Sequence, residues 1–230
     1  MRNRFKVTPN NMRKINLLIL NLFLIVFLTA ATTGAETADA LYQKAAALDK
    51  DGFLDEAAET WEQVLQAQPG KHLRTLTQLR LSGTYLKLAE TFKAVEVAQS
   101  LALSQPDLFD AQFHLGNAQS KLKNYSEAVE AYKKTIQLRP DEGLGYIALA
   151  LAYFGNKNPS AAVEQLKEAK KIFKRKKNIS WYRDARIMVQ QIKGFAPYPP
   201  NFADLWLANN LDLVRNTYEK NVFNPKDLEK

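Results

Sequence analysis

Apolar residues along this chain recur with helical spacing. Val129, Tyr132 and Ile136 stand at i, i+3 and i+7, and Val163, Leu166, Ala169 and Phe173 form another stripe of the same kind. Two more run through Tyr182, Ala185, Val189 and Ile192, and through Leu207, Leu211, Val214 and Tyr218. No long alternation of period two interrupts them, so the pattern predicts an all-α chain. Prolines at 69, 106 and 140 follow helix-like stretches at spacings of 37 and 34 residues. Asn158-Pro159 reads as an N-cap followed by a first-turn proline. A helix is expected over about 180–193. FAPYPP (195–200) then breaks it, because proline removes backbone donors and fixes φ. A last amphipathic helix is expected over about 202–218.

Aligned backwards from the prolines, four units of 34 residues appear at 38–71, 75–108, 109–142 and 143–176, with three extra residues between the first two. The twentieth position of each is alanine: Ala57, Ala94, Ala128 and Ala162. A methyl group at a recurring position lets two helices approach at the short end of the usual packing distance. One such unit cannot bury its apolar face alone, and about three must stack to make a continuous core. The third unit carries the most complete pattern, with Leu115-Gly116, Tyr125, Ala128, Tyr132, Ile136 and Pro140. On these residues, 38–176 resembles the tetratricopeptide repeat (TPR) family. The first unit departs at Lys44 and the second at Ala98, where the family usually has leucine and an aromatic residue. The resemblance implies a right-handed superhelical solenoid of about four helix-turn-helix repeats. Residues 177–194 would then form a capping helix, and 195–230 a Pro-rich linker with an amphipathic tail helix.

Charge adds a targeting signal to this picture. The formal net charge is +8, but Arg2, Arg4, Lys6, Arg13 and Lys14 carry five of those charges, leaving +3 beyond residue 35. Behind them come fourteen uncharged residues, Ile15 to Leu28, and then the small residues TAATTGA. This tripartite pattern is that of an export signal over 1–35, either cleaved after Ala31 or Ala35 or kept as an N-terminal anchor. The rest of the chain is then expected on the far side of a membrane, periplasmic or lumenal. Nucleic acid is not expected as a partner there.

Cysteine is absent and histidine occurs twice, at 72 and 114, which excludes thiolate metal sites and cysteine nucleophiles. Neither G-x-S-x-G, H-E-x-x-H, a P-loop nor the dinucleotide glycine fingerprint G-x-G-x-x-G is present. The chain is therefore expected to be a non-enzyme without cofactor or metal, and His114 to be a surface or satisfied histidine. By resemblance to the family, a partner polypeptide, as an extended segment or a helix, would lie in a concave groove. The family's groove positions fall on Tyr42, Leu79, Lys87, Phe113, Asn117, Lys121 and Ile147, with Asp110 and Phe154 beside them. Asn117 can both donate to and accept from a peptide backbone, and Lys121 sits one turn further along the same face. Tyr42 and Ala46 stand where the family's carboxylate clamp for chaperone tails wants lysine and asparagine, which argues against that ligand. A second candidate is the stretch 167–186, with nine cations against two acids; its patch Lys170, Lys171, Lys174, Arg175 and Lys177 suits a membrane surface or an acidic partner. The tail stripe either packs on the solenoid or docks another chain.

Overall fold

The computed structural model describes residues 36–195 and 199–222. The export-type segment 1–35, linker positions 196–198 and residues 223–230 lie outside the described residues. Within them the chain is helical and without strands. The helices are α1 (Ala38–Asp51), α2 (Leu54–Gln66), α3 (Lys71–Lys87), α4 (Thr91–Ser104), α5 (Phe109–Lys121), α6 (Tyr125–Leu138), α7 (Gly143–Gly155), α8 (Pro159–Arg175), α9 (Ile179–Gly194) and α10 (Pro200–Val222). The first eight pair into four hairpins, matching the four units in the sequence.

Each hairpin turns through one residue in the left-handed region. Gly52 does so at φ 89°, and Ala89, Lys123 and Lys157 follow at 62°, 64° and 59°. The residue after each donates its N–H back into the preceding helix: Phe53 to the Leu48 carbonyl, Glu90 to Tyr85, Asn124 to Gln119 and Asn158 to Tyr153. These bonds satisfy carbonyls that the end of a helix leaves open. Past the turn, Ala57, Ala94, Ala128 and Ala162 are fully buried. Gly116 permits the closest approach inside the third hairpin, since a Cβ there would lie 2.5 Å from the Tyr132 ring.

The three residues inserted between units one and two do not form a loop. They are helical, so α3 starts at Lys71 and runs for 17 residues, longer than the first helix of any other hairpin. Gly70 stands at its N-cap, and the insertion is absorbed as added helix before the register resumes.

First helices of successive hairpins (α1, α3, α5, α7) pack on one another, while the second helices sit further apart. The row of first helices therefore lines the inside of the curve. One core cluster joins the first two hairpins around Tyr42, Trp61, Leu81 and Tyr85. A larger one joins the last two with α9 and α10. α9 covers the exposed face of α8, with Trp181 stacked on Phe173 at 6.0 Å. The chain then reverses, and α10 runs back over α7 and α5. No helix among the described residues is long and apolar enough to cross a membrane.

Candidate functional site

The concave face is occupied by the chain's own tail. α10 buries Leu207, Val214 and Tyr218 and half-buries Leu211, the stripe read in the sequence. Its near end is fixed by Trp206, whose Nε1–H donates to Gln191 Oε1 of α9 at 2.9 Å and whose ring meets Phe154 edge-on at 5.4 Å. Its far end is fixed by Tyr218. That ring lies 4.1 Å from Phe113 and 5.9 Å from Phe109, and its hydroxyl donates to the Asp110 carboxylate.

Charge lines the same contact. Lys121 donates from Nζ to Asp212 at 3.1 Å, and Asp212 also pairs with Arg215 at 3.4 Å. Arg215 approaches Glu219 at 3.9 Å. Glu219 reaches over Gly83 of α3, where an added Cβ would sit 3.2 Å from its carboxylate oxygen. On the α1 side of that point, buried Asp49 holds Lys87 at 2.8 Å and Arg80 at 3.9 Å. Burial pushes the Glu219 carboxyl up, against the lowering influence of Arg215 and Lys87. Burial likewise raises Asp110, with Arg139 opposing. His114 is fully buried under the tail and held down to about 3, first by burial and then by Arg215 and Arg80, so it is neutral at physiological pH.

The residues expected in the groove divide into two sets. Lys87, Phe113, Asn117 and Lys121 gather around the tail. Asn117 accepts from the Tyr132 hydroxyl at 2.8 Å, while its Nδ2 donor finds no acceptor among the described residues. A small cavity of about 10 Å³, room for roughly one water, lies there between Leu86, Asn117, Lys121, Leu211, Asp212 and Arg215. Tyr42, Leu79 and Ile147 are instead buried within the stack. Tyr42 meets Trp61 at 4.9 Å, and Leu79 packs with Leu101, Ala102 and Ala111. Each of these side chains is spent on joining helices. His114 is interior, not at the surface.

Several participants carried no signal in the repeat pattern. Asp49 and Arg80 face the groove because α1 and α3 pack side by side, which a single-helix periodicity does not reveal. Asp212, Arg215 and Glu219 flank the tail stripe and read as ordinary solvated charges until the groove is placed against them.

The basic patch lies at the opposite end, on the last turns of α8 and the turn into α9. Lys171 pairs with Glu168 at 2.7 Å and the neighbouring Lys176 with Asp141 at 3.2 Å. Lys170 is half-buried; Lys174, Arg175 and Lys177 are exposed, next to Ile179, which is 72% exposed. Among the described residues no cluster of three or more histidines and carboxylates is placed to hold a metal ion.

Residues 109–142, the third hairpin, match the family model described as tetratricopeptide repeat. No curated protein matches the chain. Solved structures do. The MamA AMB-1 structure is 26% identical, with a TM-score of 0.55, over 61% of this chain and 82% of that one. MamA MSR-1 is 25% identical with a TM-score of 0.55, over 63% and 81%. MamA 41-end from Desulfovibrio magneticus RS-1, at 21% identity and a TM-score of 0.56 over 60% and 77%, shares the fold.

Proposed function

We propose that this chain, whose residues 109–142 match the tetratricopeptide repeat model, is a scaffold for protein–protein contact whose concave face holds a segment of a partner polypeptide without catalysing a reaction. The observation that supports this reading most directly is the groove's capacity to seat a helix. Phe109 and Phe113 receive an aromatic ring, Lys121 receives a carboxylate, and Asn117 keeps an amide donor in reserve at the centre. These are the parts of helix-in-groove recognition, in which apolar anchors supply affinity and a few polar groups set register.

The setting is an extracytoplasmic one. The basic, apolar and small-residue succession in 1–35 directs the chain across a membrane, and the scaffold serves assembly or maintenance of a membrane or envelope complex. Replacing Asn117 by Ala together with Lys121→Glu should abolish capture of the partner in crosslinking pull-downs from the native compartment, with helicity unchanged. Capture at wild-type level would remove the groove from the account.

A second reading concerns surface docking or self-association through the basic helix 167–186 and the tail 202–218. The exposed Lys174, Arg175 and Lys177 beside an exposed Ile179 favour an anionic surface. Vesicles with and without anionic lipid, tested against a triple Glu variant of those cations, discriminate it.

A further inference from the structure

The tail helix does work that the solenoid end does not need. α9 already covers α8, so closure of the stack is complete before the linker begins. α10 then travels away from that end and makes contacts 91 and 108 residues back in the sequence. Its interface also differs from those between repeats. Repeat helices meet through buried alanines, whereas α10 meets the groove through an apolar ladder flanked by the Lys121–Asp212 ion pair and the Tyr218–Asp110 hydrogen bond.

We infer that α10 is an internal stand-in for the groove's partner, which is an amphipathic helix of another chain repeating the tail's pattern Leu-x3-Leu-Asp-x-Val-x3-Tyr-Glu and displacing the tail on binding. This inference rests on the groove reading above and specifies the partner's chemistry. The pattern is that of Leu207, Leu211, Asp212, Val214, Tyr218 and Glu219. Its apolar members lie on one face; its Asp212 meets Lys121, and its Glu219 lies over Gly83 within the electrostatic influence of Lys87 and Arg80, both of which pair with Asp49. A helix with lysine at the Asp position sets two cations against each other. One without the tyrosine leaves the space between Phe113 and His114 unfilled.

The contact is built to open. The Lys121–Asp212 pair is 36% exposed on both sides, and such pairs hold weakly. Leu205 and Leu213 point outward, 63% and 46% exposed, so no further layer pins the helix down. Pro197 and Pro199 stand in the sequence between α9 and α10, so departure of α10 need not unwind the cap. A tethered segment competes at an effective concentration that for short linkers is in the millimolar range. Only a partner that reproduces the tail's contacts then binds well, because apparent affinity falls with the fraction of open groove.

The test uses the full chain and a labelled synthetic peptide of residues 200–222. Binding should be at least tenfold tighter to the variant Asp212→Lys with Tyr218→Ala, whose tail is weakened, than to the unaltered protein. A peptide carrying Asp212→Lys and Glu219→Lys should lose at least tenfold on the same variant. Native-state hydrogen exchange on the unaltered protein gives an independent reading that needs no substitution. Amides of 207–219 should exchange at least tenfold faster than those of α7. Equal peptide affinity for both proteins, indifference to the charge reversal, or exchange of the tail and α7 at one common rate would each overturn the inference. Failure of these peptide and exchange tests while the Asn117/Lys121 variant still loses its partner overturns the inference and leaves the groove reading standing; capture unaffected by that variant overturns the groove reading and the inference with it.

Discussion

The Tyr218 hydroxyl donates to the carboxylate of Asp110, joining the last turns of α10 to the first turn of α5 across 108 residues of chain. Asp110 is already drawn toward Arg139 at 3.8 Å, and that guanidinium lies over the Phe109 ring at 4.4 Å. One residue of the tail is thus tied to an aromatic box and to an acid that also faces Arg139.

Tyr218→Ala removes the ring from that box, a loss of about 3 kcal/mol by the cost of truncating a buried aromatic side chain. Because the tail can leave without the solenoid, the loss should appear as faster limited proteolysis within α10, with the unfolding midpoint of the repeats little changed. Tyr218→Phe keeps the ring and should lose about 1 kcal/mol, the net worth of one hydrogen bond. Equal protease resistance in all three proteins would show that the ring does not anchor the helix.

Stability should fall as pH drops below 6.5 because of His114. Its folded value is depressed to about 3 from 6.5, so the unfolded chain takes up a proton that the folded chain refuses. The contribution is intact above 6.5 and is lost progressively down to the folded value; at pH 5.5 the loss is about 1.4 kcal/mol, the equivalent of one pKa unit. Asp110 and Glu219 act in the opposite sense. Their raised values mean that stability is full below the ordinary carboxylate range and is lost as pH rises through the folded values. Urea midpoints of the unaltered protein and of His114→Phe, compared from pH 7.5 to 5.5, isolate the histidine. Parallel curves would contradict its burial as a neutral group.

Gly116→Ala should destabilise by about 2 kcal/mol, the usual range for overpacking, because the new methyl meets the Tyr132 ring at 2.5 Å. Tyr132→Leu makes room but leaves Asn117 without its hydroxyl donor. A double-mutant cycle in urea should therefore show the pair less harmful than the sum of the singles. Strict additivity would mean that the two positions do not touch.

Ala89→Gly should stabilise the protein by up to about 1 kcal/mol, since a left-handed alanine carries a Cβ penalty that glycine avoids. Ala89 sits at φ 62° in the same kind of turn that Gly52 makes in the first hairpin. Gly52→Ala should give a change of opposite sign. Thermal melts of the two variants read both effects.

The repeat was legible because its physics is local. Alanines 57, 94, 128 and 162 recur at the point of closest helix approach, and all four are buried as that spacing requires. The Asn158 cap was equally readable: its side chain accepts from the Ala161 amide at 3.1 Å with Pro159 at the first position. The three extra residues between the first two units, about His72 to Arg74, carry no breaker and so continue α3. The groove was only partly legible. Of the family positions, Phe113, Asn117 and Lys121 lie against α10, while Tyr42, Leu79 and Ile147 are buried between helices of the stack. The stripe from Leu207 to Tyr218 announced a buried face without saying against what. Nothing in one helix's periodicity encodes a neighbour a hundred residues away, and the charges that select that neighbour look the same as solvated ones.

A stack in which each hairpin touches only the next is compliant along its length, because small rotations at each joint add up. α10 is 23 residues long, a rod of about 34 Å at 1.5 Å per residue, and it bridges joints that are otherwise independent. While it is seated, the pitch of the superhelix is braced like a bow by its string; once it leaves, the radius of curvature is free to adjust to whatever takes its place.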